Sequence, residues 1–264
     1  MTDRATDELL TFAHDLLDMT DAIALAAFRA GSRPDRKPDG TLVTAADIEI
    51  ERLIRERIAE RDPADGIIGE ELGSDATDAE RTWIVDPIDA THNFVRGIGI
   101  FATLLACRIG DELELGVVSA PAMGERWWGI AGRGAFRRDA DGERRIGVST
   151  IDRLADGQLL YGDAGTLDGR VVEVARETWR SRGFGDFWSH MLVASGSAEA
   201  MVEDGVQPYD MAAPYVVVTE AGGRMTDLDG RPSWTDARLV SSNGLVHDEL
   251  LARLRIPLDG RADT

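Results

Sequence analysis

The beginning of the chain carries a helical pattern of apolar positions. Apolar side chains recur at three- and four-residue spacing over Leu9–Ala27, which predicts a helix from about Thr6–Phe28. The segment Gly31–Gly40 is rich in glycine and proline and predicts a turn. A second helix is expected to begin at Thr44, because Asp47 stands three residues later as in a capping box and an apolar stripe follows. The stripe consists of Ile50, Leu53, Ile54 and Ile58.

Short apolar runs separated by glycine and proline come next, and they predict the strands of a sheet. The runs are Ile67-Ile68, Trp83–Val85, Ile100–Cys107, Leu115–Ser119 and Arg126–Ile130. From about Leu159 onward predicted helices alternate with short strands, which indicates an α/β layer. These helices are Asp168–Arg180, Phe187–Ser195, Ala212–Ala221 and Val246–Leu254. The change near Thr150 predicts an N-terminal α+β subdomain, residues 1–150, and a C-terminal α/β subdomain, residues 151–264, which completes the site.

Composition excludes several classes of partner. The formal net charge of −19 repels nucleic acid and anionic membrane surfaces, so we expect neither as a partner. The N-terminus lacks a signal-peptide profile, and no apolar run reaches the ~18 residues needed to span a bilayer, so a cytoplasmic location is expected. The single cysteine, Cys107, lies in an apolar run and predicts a buried thiol. Any site for an anion must be made locally positive by metal ions or backbone N–H groups.

Acidic residues stand at the edges of four predicted elements. They are Asp47 at a helix start, Glu70 and Glu71 after a strand, Asp86 and Asp89 after the next strand, and Asp210 before a helix. Carboxylate oxygens are ligands that Mg²⁺ prefers. Each acid alone also has an ordinary interpretation, because Asp47 and Asp210 would favour a helix N-terminus and the Glu70-Glu71 pair would suit an exposed surface.

The segment 83–94 (WIVDPIDATHNF) holds the most informative of these acids. We expect the strand to end at Asp86, because Pro87 fits neither a continuing strand nor a helix interior. Asp86 and Asp89 would then bracket a tight turn and converge with the backbone carbonyl of Ile88 on one or two hard cations. The spacing alone leaves a second interpretation open, in which the two aspartates only form hydrogen bonds within the turn.

The backbone N–H groups that follow this turn belong to Ala90 and Thr91. Such groups can point at an anion, as they do at helix N-termini and in backbone nests. They would supply part of the local positive charge that an anionic ligand needs on this acidic chain.

Taken together, these segments resemble the inositol monophosphatase superfamily. The matching stretches, in the family's order, are Leu42–Asp47, Gly69–Glu71, Asp86–Phe94, Tyr209–Ala213 and Glu220–Gly223. The resemblance covers essentially the whole chain and implies an α/β (α+β) class with the layered αβαβα sugar-phosphatase fold. Within the superfamily, the chain looks most like bacterial histidinol-phosphate phosphatases. The stretches behind this finer resemblance are Asn93–Gly97, Ser119–Ala122, Arg126–Trp128, Gly185–Phe187 and Ser242–Glu249.

The resemblance also implies a role for each candidate residue in a phosphatase with two or three Mg²⁺ ions, or Mn²⁺ in their place. The implied metal ligands are Glu70, Asp86, the Ile88 carbonyl, Asp89 and Asp210. The residues expected to position and deprotonate the attacking water are Asp47, Glu70 and Thr91. The amides expected to hold the phosphate are those of Ala90 and Thr91. The family also implies a homodimer.

The finer resemblance implies L-histidinol phosphate as the substrate, in histidine biosynthesis. A cationic leaving group favours carboxylates near the mouth of the site, where Asp186 and Glu203 match by motif position with Arg182 nearby. Asp186 could instead cap the helix that follows it, and Glu203 could be a surface acid before Gly205.

Three other functions stay open at this point. One is an adenosine bisphosphate phosphatase, which would need extra basic residues for its second phosphate, and the sequence offers no convincing set of these. An inositol-1-phosphate or broader sugar-phosphate phosphatase would use the same chemistry. A catalytically silent regulatory relative would be marked by the loss of a metal-site carboxylate, and none is lost here.

Two positions depart from the family pattern. Ala90 replaces the usual glycine and Tyr209 replaces the usual tryptophan. Ala90 is strained if its φ is positive, and Tyr209 is expected to keep the packing role.

Overall fold

The computed structural model describes residues 3–38, 40–165 and 167–255. Residues 256–264 of the predicted C-terminal subdomain therefore lie outside the described residues. The helices within the described ranges are α1 (Asp3–Ala30), α2 (Ala45–Arg61), α3 (Thr91–Val95), α4 (Gly169–Glu177), α5 (Asp186–Ala194), α6 (Pro208–Glu220) and α7 (His247–Leu254). None of the helices in these ranges combines the length and apolar character needed to cross a lipid bilayer.

A large sheet of eight strands is built from the first half of the chain. Its strands are β3 (Gly66–Gly69), β4 (Ser74–Asp75), β5 (Arg81–Asp89), β6 (Ala102–Ile109), β7 (Glu112–Ala120), β8 (Glu125–Ile130), β9 (Gly134–Asp139) and β10 (Gly142–Ile146). Their order is β10-β9-β8-β7-β6-β5-β3-β4, and only β3 and β5 pair in parallel. A short antiparallel hairpin of β1 (Asp35–Arg36) and β2 (Leu42–Val43) precedes α2.

A second sheet of five strands follows in the second half of the chain. Its strands are β11 (Gln158–Tyr161), β12 (Arg180–Gly183), β13 (Ala200–Asp204), β14 (Arg224–Thr226) and β15 (Arg238–Ser242). Their order is β12-β11-β13-β15-β14, with β11 parallel to both of its neighbours and β15 antiparallel to both of its neighbours. The two sheets thus lie on either side of residue 150 in the sequence, while the division into two subdomains stays a prediction.

Five layers result from the packing of helices on both sheets. Trp83 and Val85 of β5 pack with α1 and α2, whereas Ile84 between them packs with α5 and α6. The second sheet alternates in the same way, with Leu159 toward α4 and α7 and Leu160 toward α5. Alternate residues of a strand face opposite sides, so both faces of each sheet are buried. The predicted αβαβα fold is confirmed.

Strand β5 corrects one expectation about the acidic segment. The strand does not end at Asp86 but continues through Pro87 to Asp89, with a shift of register against β6 between the two aspartates. An irregularity of this kind tolerates proline, because the regular ladder hydrogen bonds are interrupted there. The two aspartates therefore lie on a distorted strand end rather than on the two sides of a tight turn.

Candidate active site

A cleft of about 330 Å³ opens where β5 ends, beside the first turn of α6. The predicted residues that line it are Glu70, Asp86, Ile88, Asp89, Ala90, Thr91 and Asp210. The remaining lining residues are Gly40, Thr41, Leu42 and His92. The fold thus brings residues from both halves of the sequence to one cleft.

Three carboxylates meet at the base of this cleft. Asp86, Asp89 and Asp210 each offer an oxygen, and these oxygens all lie within 4.8 Å of one another. Within the described residues, the buried Oδ1 of Asp86 has no hydrogen-bond partner. Convergent carboxylates with an unsatisfied buried oxygen fit a hard divalent cation, which takes oxygen ligands.

The electrostatics of the cluster favour a cation as well. Burial raises the pKa of Asp86 well above its ordinary value, and the negative charges of Glu70, Asp89 and Asp210 raise it further. Burial likewise raises the pKa of Asp210 to about 7. A bound cation would relieve the repulsion that opposes ionisation of these groups.

Glu70 lies at the edge of the cleft in a turn after β3. Lys37, which follows β1, places its Nζ 2.8 Å from Glu70 Oε1 and 2.7 Å from Glu71 Oε1. This contact could not be predicted from the sequence, because Lys37 lies in a turn segment without apolar periodicity. Lys37 thus brings a positive charge to a strongly acidic site.

The turn that holds Glu70 is fixed by a buried acid of α2. The carboxylate of Glu51 accepts hydrogen bonds from the backbone N–H of Glu71 at 2.7 Å and of Leu72 at 3.1 Å. Gly69 is required beside it, because a Cβ at that position would lie 2.0 Å from Glu51 Oε1. Glu51 therefore sets the position of a candidate ligand without lining the cleft itself.

Asp47 is completely buried at the start of α2. Its Oδ2 accepts hydrogen bonds from the backbone N–H and the hydroxyl of Thr44, at 2.9 and 2.5 Å, and completes the predicted capping box. Its Oδ1 is buried with no hydrogen-bond partner among the described residues. Burial raises the pKa of Asp47 to about 6, and the charge of Glu70 contributes. Asp47 does not line the cleft, and its predicted role toward the attacking water stays a prediction.

Ala90 and Thr91 turn the chain from β5 into α3. Ala90 has φ +63°, and its carbonyl accepts the backbone N–H of Asn93 at 2.9 Å to begin the helix. The Thr91 hydroxyl donates to the carbonyl of Ile88 at 2.9 Å. The predicted phosphate-binding amides and the predicted carbonyl ligand are therefore held together in one wall of the cleft.

A smaller chamber of about 40 Å³ adjoins the cleft, and we call it the acid chamber. Its lining residues are Asp89, Asp186, Phe187, His190, Glu203, Val206, Asp210 and Met211. Asp89 and Asp210 belong to both cavities, so the acid chamber begins directly beside the carboxylate cluster. The backbone N–H of Phe187 donates to Asp89 Oδ2 at 2.8 Å and joins α5 to β5 at this point.

Two acids of the acid chamber are the predicted substrate contacts. Asp186 is the first residue of α5, with Gly185 at the N-cap, so its carboxylate does not cap the helix. Burial, together with the negative charges of Glu203 and Asp210, raises the pKa of Asp186 to about 7. Glu203 is buried rather than a surface acid, and its Oε1 accepts the backbone N–H of Asp186 at 3.0 Å.

A comparison with models of known protein families shows to which family the chain belongs. The model of the inositol monophosphatase family matches residues 6–257. The chain belongs to the inositol monophosphatase family.

Individual relatives agree with this assignment. Histidinol-phosphatases of Streptomyces coelicolor and Mycobacterium tuberculosis are each 42% identical to the chain; both alignments cover 93% of it, and 96% and 97% of the respective relatives. Among solved structures, an inositol monophosphatase of Thermotoga maritima superposes with a TM-score of 0.86 at 30% identity, covering 94% of this chain and 96% of that one. The chain is therefore a phosphomonoester hydrolase of a metal-dependent family, which agrees with the carboxylate cluster.

Two further residues complete the description of this inositol monophosphatase family member. Tyr209 is partly buried and packs against the core between the sheets, as expected for the residue that replaces tryptophan. Arg182 is exposed, donates to the backbone carbonyl of Ser181 at 2.8 Å and lines neither cavity. Its predicted contact with substrate therefore has no geometric support.

Proposed function

We propose that the chain hydrolyses L-histidinol phosphate to histidinol and phosphate with the aid of Mg²⁺, as a step of histidine biosynthesis. The observation that carries this proposal is the acid chamber, whose Asp186 and Glu203 adjoin the carboxylate cluster. Histidinol carries an ammonium group and an imidazole, whereas inositol is neutral. Buried carboxylates favour the cationic leaving group. The similarity to histidinol-phosphatases supports the same substrate.

The phosphate end of the substrate would lie in the larger cleft. Bound Mg²⁺ supplies positive charge that neutralises phosphoryl oxygens and makes water a better nucleophile. The residues that would hold the ions are Glu70, Asp86, the Ile88 carbonyl, Asp89 and Asp210. The backbone amides of Ala90 and Thr91 would hold the phosphate, while Glu70, Thr91 and Asp47 would orient and deprotonate the attacking water.

The leaving-group end would extend into the acid chamber. Glu203 has its Oε1 occupied by the N–H of Asp186, and both carboxylates line the chamber. An ammonium or imidazolium group placed there would gain charge-assisted hydrogen bonds. The chamber thus separates recognition of the cation from recognition of the phosphate.

The second candidate substrate is inositol 1-phosphate or another sugar phosphate. The structural similarity to the inositol monophosphatase of Thermotoga maritima favours it. The candidates differ in the charge of the leaving group, so they can be separated by kinetics.

A phosphate-release assay with Mg²⁺ tests the proposed substrate. Histidinol phosphate, inositol 1-phosphate and p-nitrophenyl phosphate are compared by kcat/KM, with EDTA as the metal-free control. We expect a preference of about tenfold or more for histidinol phosphate, because the other esters bring no positive charge to the buried acids. Equal turnover of inositol 1-phosphate would refute the substrate. Loss of all turnover with Mg²⁺ present would identify a silent relative.

We also propose a homodimer, which the family resemblance supports. Light scattering on purified protein is expected to give twice the chain mass of 28.7 kDa. A mass of one chain would contradict this proposal.

A further inference from the structure

His190 lies in the wall of the acid chamber and has no part in the proposed reaction. Its side chain belongs to α5 and is only 1% exposed. Its Nδ1 lies 2.8 Å from the Ser241 hydroxyl, and its Nε2 lies 2.9 Å from Glu203 Oε2. A continuous set of hydrogen bonds therefore runs from β15 through α5 to the carboxylate on β13.

The direction of these hydrogen bonds follows from the chemistry at the two ends. A carboxylate only accepts hydrogen bonds, so the imidazole must carry its proton on Nε2 to pair with Glu203. The other ring nitrogen, Nδ1, then accepts from the Ser241 hydroxyl, which can donate. Glu203 thereby selects the tautomer of His190 that donates to it, and the Ser241 hydroxyl holds the ring by donating to Nδ1.

The register of the second sheet places these groups on one face. Glu203 pairs with Leu239 across β13 and β15, and Met201 pairs with Ser241. Residues two apart on a strand share a face, as do directly paired residues of neighbouring strands. Glu203 and Ser241 therefore both face α5, where His190 connects them.

Glu203 is consequently held at both of its oxygens. Its Oε1 accepts the backbone N–H of Asp186 and its Oε2 accepts His190, so neither oxygen can turn away without breaking a buried hydrogen bond. Without His190, Oε2 would lose its partner and the carboxylate could rotate about its side-chain torsions. Groups that orient a ligand-binding residue in this way change affinity even though they do not touch the ligand.

We propose that His190, oriented by Ser241, is a positioning residue that fixes the Glu203 carboxylate to receive the cationic leaving group. This inference rests on the proposed function, because it assigns Glu203 to recognition of that cation. His190 itself contacts neither the phosphate cleft nor the carboxylate cluster through its hydrogen bonds.

Kinetics of three variants test the proposal. His190→Phe keeps an aromatic ring but removes the donor, and we expect it to raise the KM for histidinol phosphate about tenfold while kcat changes less than about twofold. With p-nitrophenyl phosphate, which lacks the cation, both constants should stay at wild-type values. His190→Gln offers a side-chain N–H to Glu203 and should restore most of the affinity. Ser241→Ala should raise the same KM more weakly.

Ser189→Ala provides a matched control in the same helix. Ser189 is also completely buried, but within the described residues its hydroxyl has no hydrogen-bond partner. We expect this variant to leave both KM values unchanged. An equal rise of KM for both substrates in His190→Phe, or no rise at all, would overturn the positioning role.

An NMR measurement tests the arrangement without any substrate. The chain contains four histidines, so ¹⁵N-histidine labelling with His190→Gln as reference identifies the signal of His190. We expect a proton on Nε2, which donates to Glu203, and a ring that carries its proton on Nδ1 instead would overturn the proposal. If the wild-type enzyme shows no preference for histidinol phosphate, the proposed function fails. A preference that survives His190→Phe refutes only the role of His190.

Discussion

Ala90 holds a left-handed backbone conformation in the wall of the phosphate cleft, with φ +63°. This conformation strains a residue with a Cβ by roughly 1–2 kcal/mol and is readily adopted by glycine. The family pattern has glycine at this position, and the sequence left open whether Ala90 has a relaxed negative φ or a strained positive φ. The structure shows the strained conformation.

We expect Ala90→Gly to increase the free energy of unfolding by about 1 kcal/mol, because relief of strain exceeds the added entropy of the unfolded chain. Urea unfolding measures the change. Ala59→Gly in α2 is the matched control and should decrease the stability by about 1 kcal/mol, because Ala59 is an exposed residue of a right-handed helix. A less stable Ala90→Gly protein would show that the conformation is not strained.

Asp89 belongs to the carboxylate cluster and accepts a hydrogen bond from the backbone N–H of Phe187. Asp89→Asn removes one charge from the cluster, changes little volume and keeps an oxygen that can accept from Phe187. We expect kcat to fall by about a hundredfold or more, while the melting temperature does not decrease. Asp111→Asn at an exposed turn should leave kcat unchanged. Turnover near the wild-type value in Asp89→Asn would count against the metal-dependent mechanism.

At the scale of elements, helix α7 is anchored to the second sheet by its first residue. The Nε2 of His247 lies 2.9 Å from the Thr226 hydroxyl on β14, and its Nδ1 lies 2.7 Å from the Ser242 hydroxyl on β15. Burial lowers the pKa of His247 to about 4, and the charge of Arg224 adds to the effect. The neutral ring is therefore part of the packed structure.

This histidine makes stability depend on pH. Its folded pKa lies below the unfolded value of 6.5, so its stabilising contribution is complete above about pH 6.5 and is lost as the pH falls toward 4. We expect the unfolding free energy of His247→Gln to change less steeply with pH in this window than that of the wild type. The difference between the two slopes should correspond to about one proton, which the wild type binds at His247 on unfolding. Urea unfolding at several pH values provides the slopes. Equal slopes for both proteins would contradict the buried neutral state.

The apolar pattern predicted most elements because it reports burial directly. The observed α1 and α2 agree with the predicted helices within a few residues, and every predicted strand of the first sheet forms. Strands β9 and β10 were not predicted, because their exposed arginines and acids resemble a loop. The start of α6 was placed too late, since Pro208 and Asp210 in its first turn look like loop residues without their tertiary contacts.

The candidate site also could be predicted only in part from the sequence. The carboxylates that line the cleft carry a recognisable motif, so their assignment was available from the sequence. Lys37 and His190 carry no such motif, because their partners lie on other elements and are far away along the chain. Only folding brings those groups together, and local patterns do not encode such contacts.

At the scale of the whole molecule, the carboxylate cluster opposes folding when no metal is bound. Burial and mutual repulsion raise the pKa of Asp210 to about 7, above its ordinary value of 3.8. The contribution of such a group to stability is complete below about pH 4 and is lost as the pH rises through about 7. A ligand that binds only the folded cluster restores stability by an amount that grows with the logarithm of its concentration divided by its dissociation constant.

We therefore expect EDTA-treated protein to melt at a lower temperature at about pH 8 than at about pH 6, and Mg²⁺ to raise the melting temperature most at the higher pH. Asp210→Asn should melt above the wild type in EDTA at about pH 8 and should gain less from Mg²⁺, because one repelling charge is gone. Scanning calorimetry measures both effects. Asp111→Asn should behave as the wild type does. A metal-independent melting temperature would contradict the assignment of the cluster.

The hydrogen bond from the backbone of Phe187 to Asp89, together with the approach of Asp210, has a consequence for protein synthesis. Asp89 is translated early, whereas α5 and α6 follow only after the strand β11 of the second sheet. A nascent chain that has released only its N-terminal half from the ribosome holds acids that lack their later partners. The carboxylate cluster is therefore complete only after α6 has been synthesised, and a fragment that ends before this helix lacks Asp210.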